Sequence, residues 1–223
     1  MMPDNSVYYF DSSTMVRDLP PYYSHSWRHV EISDPALDSA HGLVVLAEDP
    51  SSGEWYTVRA DYIRGIFVPD LLVQKVLELT RGYNICRRVA DGASTWYIHT
   101  AQAKGVHYVT PHDKNNRRDD MIKNLQAALG TKLFITPYCY DLIDEFQTCR
   151  WSDSGDGKIA KSSRFHLLDA LRYGVDCLPK PETLIRRGTW EEELFRAHLE
   201  RKRKEEAQKI AKAKGRLRVR RRW

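Results

Sequence analysis

Three short apolar segments at residues 28–33, 42–47 and 54–61 follow one another too closely for a helix to fit between them. Segments of that length, separated by turn formers, pair as antiparallel strands, and Asp49-Pro50-Ser51-Ser52-Gly53 predicts a hairpin between the second and third. The pattern then alternates. Leu71, Leu72, Val76 and Leu79 give helical spacing over 70–81, with Gly82 placed to stop it. A strand over 84–90, a helix over 94–104, a strand over 106–110 and a helix over 117–129 follow. Further on come a strand over 132–136, a helix over 138–150, a polar loop over 152–161 and a helix from Ser162 or Ser163 to Leu178. A meander followed by strand-helix alternation predicts an α/β architecture, a mixed sheet with helices on both faces.

With 42% apolar and 11% aromatic residues, the chain has enough material for a core, which excludes a wholly disordered protein. No apolar run is long enough to cross a bilayer, and the polar N-terminus lacks the pattern of a signal peptide. Cys86, Cys139, Cys149 and Cys177 form no Cys-x-x-Cys pair, so reduced thiols are expected rather than a zinc ribbon or disulfide framework. Residues 1–27 have no period and contain Pro3, Pro20 and Pro21; they read as a lead-in or linker before a domain over 28–180. The formal net charge of +5 hides a division. Residues 201–223 carry 12 Lys/Arg against Glu205 and Glu206, while the preceding 200 residues are net acidic. The segment 181–223 is therefore read as a charged helical, basic tail, with a long helical pattern over 191–214. A polyanion partner explains such a tail, and so does a solvated helix that only aids solubility.

Three acids stand at informative places. Asp34 closes the first strand and is followed by Pro35; Asp91 closes the fourth and is followed by Gly92. Groups at the carboxyl ends of neighbouring strands converge on one crevice. Asp169 lies inside an apolar helix three residues after His166, hence on the same face, and Tyr173 continues that face. Carboxylates gathered without matching cations repel one another, and a hard divalent cation removes that cost. Each acid also has a plain structural reading: Asp34 as a turn residue before proline, Asp169 as a surface partner of Arg172.

These residues resemble those of a known family, the nuclease domain of the large terminase subunit of tailed bacteriophages. The resemblance runs over about residues 28–180. It rests on Ser33-Asp34-Pro35-Ala36, on Val89-Ala90-Asp91-Gly92, on Gly105-Val106 leading to Pro111 and Lys114, and on Leu142-Ile143-Asp144-Glu145-Phe146 before Trp151. Its most specific piece is His166-Leu167-Leu168-Asp169-Ala170-Leu171-Arg172-Tyr173. It implies a ribonuclease H-like fold and an endonuclease that cuts concatemeric viral double-stranded DNA during genome packaging in the host cytoplasm. Asp34, Asp91 and Asp169 match the catalytic, metal-binding acids, with His166 as an auxiliary ligand and Asp38 as a weaker one. Implied partners are a terminase ATPase domain, a small terminase subunit and a portal protein. The chain has no Gly-x-x-x-x-Gly-Lys-Ser/Thr phosphate loop, so no ATPase activity is expected of it, and Phe165 stands where an acid often precedes His166.

The mechanism this implies is two-metal phosphodiester hydrolysis with magnesium or manganese, Asp34 bridging the two ions. Lys114, Arg117 and Arg118 are candidates to grip backbone phosphates, as are Arg218, Arg220 and Arg221 in the tail. Two competing readings remain: a non-catalytic DNA-binding or docking module in which the acids are structural, and a junction-resolvase-type nuclease on the same fold.

Overall fold

The structure, a computed structural model, describes residues 5–36, 40–111, 118–154, 158–160 and 164–178. All of them lie in the first of two units, Met1–Pro179. The tail and its expected helix fall outside the described residues.

Strands β1 (Arg28–Asp34), β2 (His41–Glu48) and β3 (Trp55–Ile63) form an antiparallel meander. The β2–β3 turn is organised by Asp49, whose carboxylate accepts from the Ser51 N–H at 2.8 Å, the Ser51 hydroxyl at 2.7 Å and the Ser52 hydroxyl at 3.1 Å. Strand β4 (Ile85–Ala90) lies parallel to β1 on its free side, and β5 (Leu133–Phe134) lies parallel to β3. The sheet order is β4-β1-β2-β3-β5, mixed and open.

Helices α2 (Pro69–Leu79) and α3 (Thr95–Ala103) cover one face. There Leu72, Val73, Val76, Tyr97 and Ala101 pack on Leu43 and Ala90. Helices α4 (Arg118–Ala128), α5 (Tyr140–Thr148) and α6 (His166–Asp176) belong to the other face. Val30, Ile32, Val44 and Leu46 meet Leu167, Leu168 and Leu171 of α6 there, with Leu125, Leu142 and Phe146 around them. Each leucine buried in this way contributes about 1.5–3 kcal/mol. Alternation along the strands thus divides the core into two layers, as the sequence pattern predicts.

Two expected strands are shorter than predicted. The segment over 106–110 pairs with β4 only at Val109, because Pro111 has no N–H with which to extend the ladder. The segment over 132–136 leaves β3 after Phe134. The Ile135 N–H is taken by the Met15 carbonyl at 3.0 Å, and the Thr136 hydroxyl donates to the Thr57 carbonyl at 2.6 Å.

That Met15 contact also corrects the reading of residues 1–27 as a linker. Tyr8, Phe10 and Met15 are buried in the α6-side core. Phe10 stacks on Phe146 at 4.7 Å between centroids, and Tyr8 meets the same ring edge-on at 5.4 Å. A short helix, α1 (Ser12–Met15), is capped by Asp11. The segment has no period because it packs as an irregular strap, not as a repeating element.

The α2/α3 face carries one buried ionic group. Glu31 of β1 is fully buried and pairs with Arg88, its register neighbour on β4. The Tyr108 hydroxyl donates to Glu31 Oε1 at 2.5 Å, and Tyr97 and Tyr108 bond through their hydroxyls at 2.9 Å. Every carboxylate oxygen there faces a donor, which offsets much of the desolvation cost of the charge.

Candidate active site

Parallel pairing of Ser33 with Ala90 leaves Asp34 and Asp91 side by side at the carboxyl ends of β1 and β4. Val30, Ile32 and Val89 face the α6-side core, so two-residue alternation aims Asp34 and Asp91 at that same side. Each keeps about 9% of its surface exposed, at the rim where Pro35 and Gly92 turn the chain away. Asp91 also serves its turn, since Oδ1 accepts the Ala93 N–H at 2.9 Å.

Helix α6 reaches these acids because two glycines let it approach closely. A Cβ on Gly42 would stand 2.5 Å from the His166 carbonyl oxygen, and a Cβ on Gly174 would overlap the Ile32 side chain. Gly42 is the register partner of Asp34, so the first turn of α6 sits beside the end of β1. His166 Nδ1 lies 2.7 Å from Asp34 Oδ2. A carboxylate only accepts, so Nδ1 carries the proton in this contact. That bond raises the His166 pKa above the ordinary value; burial opposes the rise, and the charges of Asp34, Asp169 and Glu145 support it.

One turn further on, Asp169 is paired with Arg172. Burial pushes its pKa up to about 6; Arg172 acts against the rise, and the charge of Asp34 adds to it. Tyr173 follows on the same face. Burial pushes its phenol up, and Asp169, Asp34 and Asp91 all push it the same way. The charges of all three acids named from the sequence thus act on Tyr173. His41, beside Gly42, is buried and held neutral, its pKa lowered to about 3 by burial and then by His166.

The remaining sequence candidates divide into two groups. Arg118 opens α4 and is close enough to Asp169 to lower its pKa. Asp38, Lys114, Arg117, Arg218, Arg220 and Arg221 lie outside the described residues.

Glu145 carries no role in the sequence reading, and the structure gives it one. Its carboxylate accepts the Leu167 N–H at 3.2 Å and the Leu168 N–H at 2.6 Å, and the Tyr62 hydroxyl donates to it as well. An acid from α5 thus caps the first turn of α6, where helical N–H groups lack partners and the helix dipole favours negative charge. Burial, the dominant effect, nevertheless pushes its pKa up to about 7. A signal for it was present: Leu142, Glu145 and Phe146 share one helical face, and all three are buried. Glu145 also lines a cleft of about 580 Å³ with Tyr62, Arg64, Asp144, Arg164 and Phe165 among its walls.

The donors suit a hard divalent cation in type and charge: three carboxylates, mutually repelling, with one imidazole beside them. In the side-chain conformations present, Asp34 is turned to His166 and Asp169 to Arg172. Among the described residues, no three His, Cys, Asp or Glu side chains stand close enough together to hold a metal ion. No described helix is long and apolar enough to cross a membrane.

Solved structures share this fold. The large terminase of a thermophilic bacteriophage matches 78% of this chain with a TM-score of 0.67 and 19% identity, and the chain spans 45% of that protein's length. The P22 large terminase nuclease domain matches 78% of this chain and 92% of its own length, with a TM-score of 0.61 and 16% identity. The large terminase nuclease of the thermophilic phage G20c, with bound cobalt, matches 78% of this chain and 98% of its own, with a TM-score of 0.62 and 15% identity. A further structure of the G20c nuclease contains magnesium. The chain therefore has the ribonuclease H-like α/β fold, and it is structurally similar to large terminase nuclease domains. No protein-family model matches the sequence, and no curated protein does.

Proposed function

We propose that this chain is a divalent-metal-dependent endonuclease that cuts concatemeric viral double-stranded DNA during genome packaging. The observation that supports this reading is the placement of Asp34 and Asp91 side by side at the ends of paired strands, with His166 of α6 at 2.7 Å from Asp34 and Asp169 one turn further along that helix. A fold with no use for these acids has no physical reason to bring three carboxylates from two strands and a helix to the same end of the sheet. The cobalt and magnesium in the similar G20c nuclease support the same assignment.

Asp34, Asp91 and Asp169 would hold two magnesium or manganese ions, with His166 as an auxiliary ligand. When bound, such ions supply Lewis acidity at a phosphodiester and lower the pKa of water. The protein's part is positional. Asp34 neighbours Asp91 through strand pairing and His166 through the seat of α6, so it would be the acid common to both parts of the donor set. Protonated His166 holds the Asp34 carboxylate through Nδ1–H and frees it when that proton leaves. Arg172 orients Asp169, and Glu145 fixes the turn from which both helix residues project. Lys114, Arg117, Arg118 and the tail arginines Arg218, Arg220 and Arg221 would contact phosphates without reading sequence. The packaging partners are an ATPase domain, the small terminase subunit and the portal.

The test is plasmid cleavage by the purified chain. Cutting should require magnesium or manganese, stop with chelator, and vanish in Asp34→Asn while circular dichroism stays unchanged. Undiminished cutting by a folded Asp34→Asn protein removes the assignment. A second reading, a non-catalytic DNA-docking module, is favoured by the matching of Asp34 to His166 and of Asp169 to Arg172. It requires DNA binding with neither cleavage nor any rise in melting temperature on adding manganese. A junction-resolvase-type nuclease would instead prefer four-way junctions to linear duplex.

A further inference from the structure

Ser94 closes the turn that follows Asp91 and is the N-cap residue of α3. Serine is favoured at that position because its side-chain oxygen accepts one of the N–H groups that the first helical turn leaves without a partner. The Ser94 side chain makes no such bond. Its hydroxyl donates instead to the Pro35 carbonyl at 3.2 Å, on the other strand's turn and one residue beyond Asp34. Both Ser94 and Pro35 are buried, so the tie is shielded from water.

The bond completes a ring that contains both strand-end acids. The Asp91 N–H donates to the Ser33 carbonyl at 3.3 Å, and the Asp91 carbonyl accepts the Ser94 N–H at 3.1 Å. From Ser94 the hydroxyl reaches Pro35, and the backbone returns through Asp34 to Ser33. Strand pairing leaves this last step open. The β1–β4 register ends at Ser33 and Ala90, one residue short of each acid, and Pro35 has no N–H with which to extend it. Asp91 is braced within its own turn as well, where Oδ1 accepts the Ala93 N–H. We propose that Ser94 is a positioning residue, whose hydroxyl holds the turn after Asp34 against the turn after Asp91 and so sets the spacing of two carboxylates that bind a divalent cation. The cation rests on the nuclease reading above; the tie between the turns does not. Groups that orient metal ligands without touching the metal change its affinity by about 10–100-fold when they are removed.

The experiment titrates manganese chloride alone, without DNA, into the full chain and follows binding by calorimetry. Ser94→Ala should bind manganese about tenfold more weakly than the parent, and Ser94→Thr, which keeps the hydroxyl, should stay within about twofold of it. Plasmid cleavage gives a second readout. Ser94→Ala should need about tenfold more manganese for half-maximal rate and should come within about threefold of the parental rate once manganese saturates. A serine that serves only the stability of α3 has a different signature: a smaller folded fraction with the manganese requirement unmoved. Ser94→Gly also lacks the hydroxyl but is itself a good N-cap residue, which covers an alanine variant that folds poorly. Parental manganese affinity in a folded Ser94→Ala or Ser94→Gly protein overturns the proposal and leaves the nuclease reading intact. A threonine variant as weak as the alanine one overturns it too. A parent that binds no manganese and cuts no plasmid overturns the nuclease reading before any variant is compared, and the proposal goes with it.

Discussion

The same two strands carry charge on both faces of the sheet, and the two faces treat it differently. Toward α2 and α3, the fully buried Glu31 on β1 is paired with the partly buried Arg88 on β4, with Tyr108 donating to the carboxylate. Toward α6, three residues further along each strand, Asp34 and Asp91 stand at the rim beside a third acid. One arrangement is closed; the other opens at the rim, with His166 beside Asp34 and Arg172 beside Asp169. A matched buried pair fixes the register of β1 against β4. The same register holds Asp34 and Asp91 side by side at the ends of the strands. The first arrangement holds the second in position.

This contrast can be broken from either side. The largest effect belongs to the open side. Asp34→Asn should lower plasmid cleavage by at least about 10³-fold, some 4 kcal/mol in the barrier, while the melting temperature stays level or rises as repulsion with Asp169 is relieved. On the closed side, Arg88→Ala leaves Glu31 buried and unpaired. It should cost about 3 kcal/mol in denaturant unfolding, with activity per folded molecule largely kept.

Glu145 connects the two behaviours through pH. Its folded pKa of about 7 lies above the ordinary 4.5, so the native state binds the proton more tightly than the unfolded chain. The stability it contributes is full below about pH 4.5 and is lost as pH climbs through about 7. Glu145→Gln cannot titrate. The unfolding free energies of parent and variant should therefore shift relative to each other by on the order of 2–3 kcal/mol between about pH 5 and pH 8, in the variant's favour as pH rises. A constant gap would mean that Glu145 stays ionised throughout. The smallest effect is expected at Tyr173→Phe, which removes the hydroxyl on which the charges of all three acids act. Cleavage should fall less than about tenfold, and stability should change by no more than about 1 kcal/mol.

Much of this site was legible because it lies on regular elements. Asp34 and Asp91 are marked by strands that end abruptly, at Pro35 and Gly92, and His166, Asp169 and Tyr173 by a helical repeat. Such periods record which face a residue takes. They do not record what meets that face. Nothing in the pattern around Glu145 names the N–H groups of Leu167 and Leu168 as its partners, because that contact depends on how α5 and α6 cross. Residues 5–16 escape a reading by pattern for a related reason: Tyr8, Phe10 and Met15 are spaced to fill gaps between other elements, and gap-filling has no period. The short β5 likewise reflects competition for the Ile135 N–H by a segment over a hundred residues away in sequence.

Gly42 and Gly174 have a bearing on how relatives of this chain should be judged. At each of them a single methyl group would act as a shim under α6, lifting His166 and Asp169 off the strand that bears Asp34. A homologue could therefore retain every acid and have lost the spacing that makes them useful. Survival of the two bare positions under the helix is the better guide to whether such a protein still works.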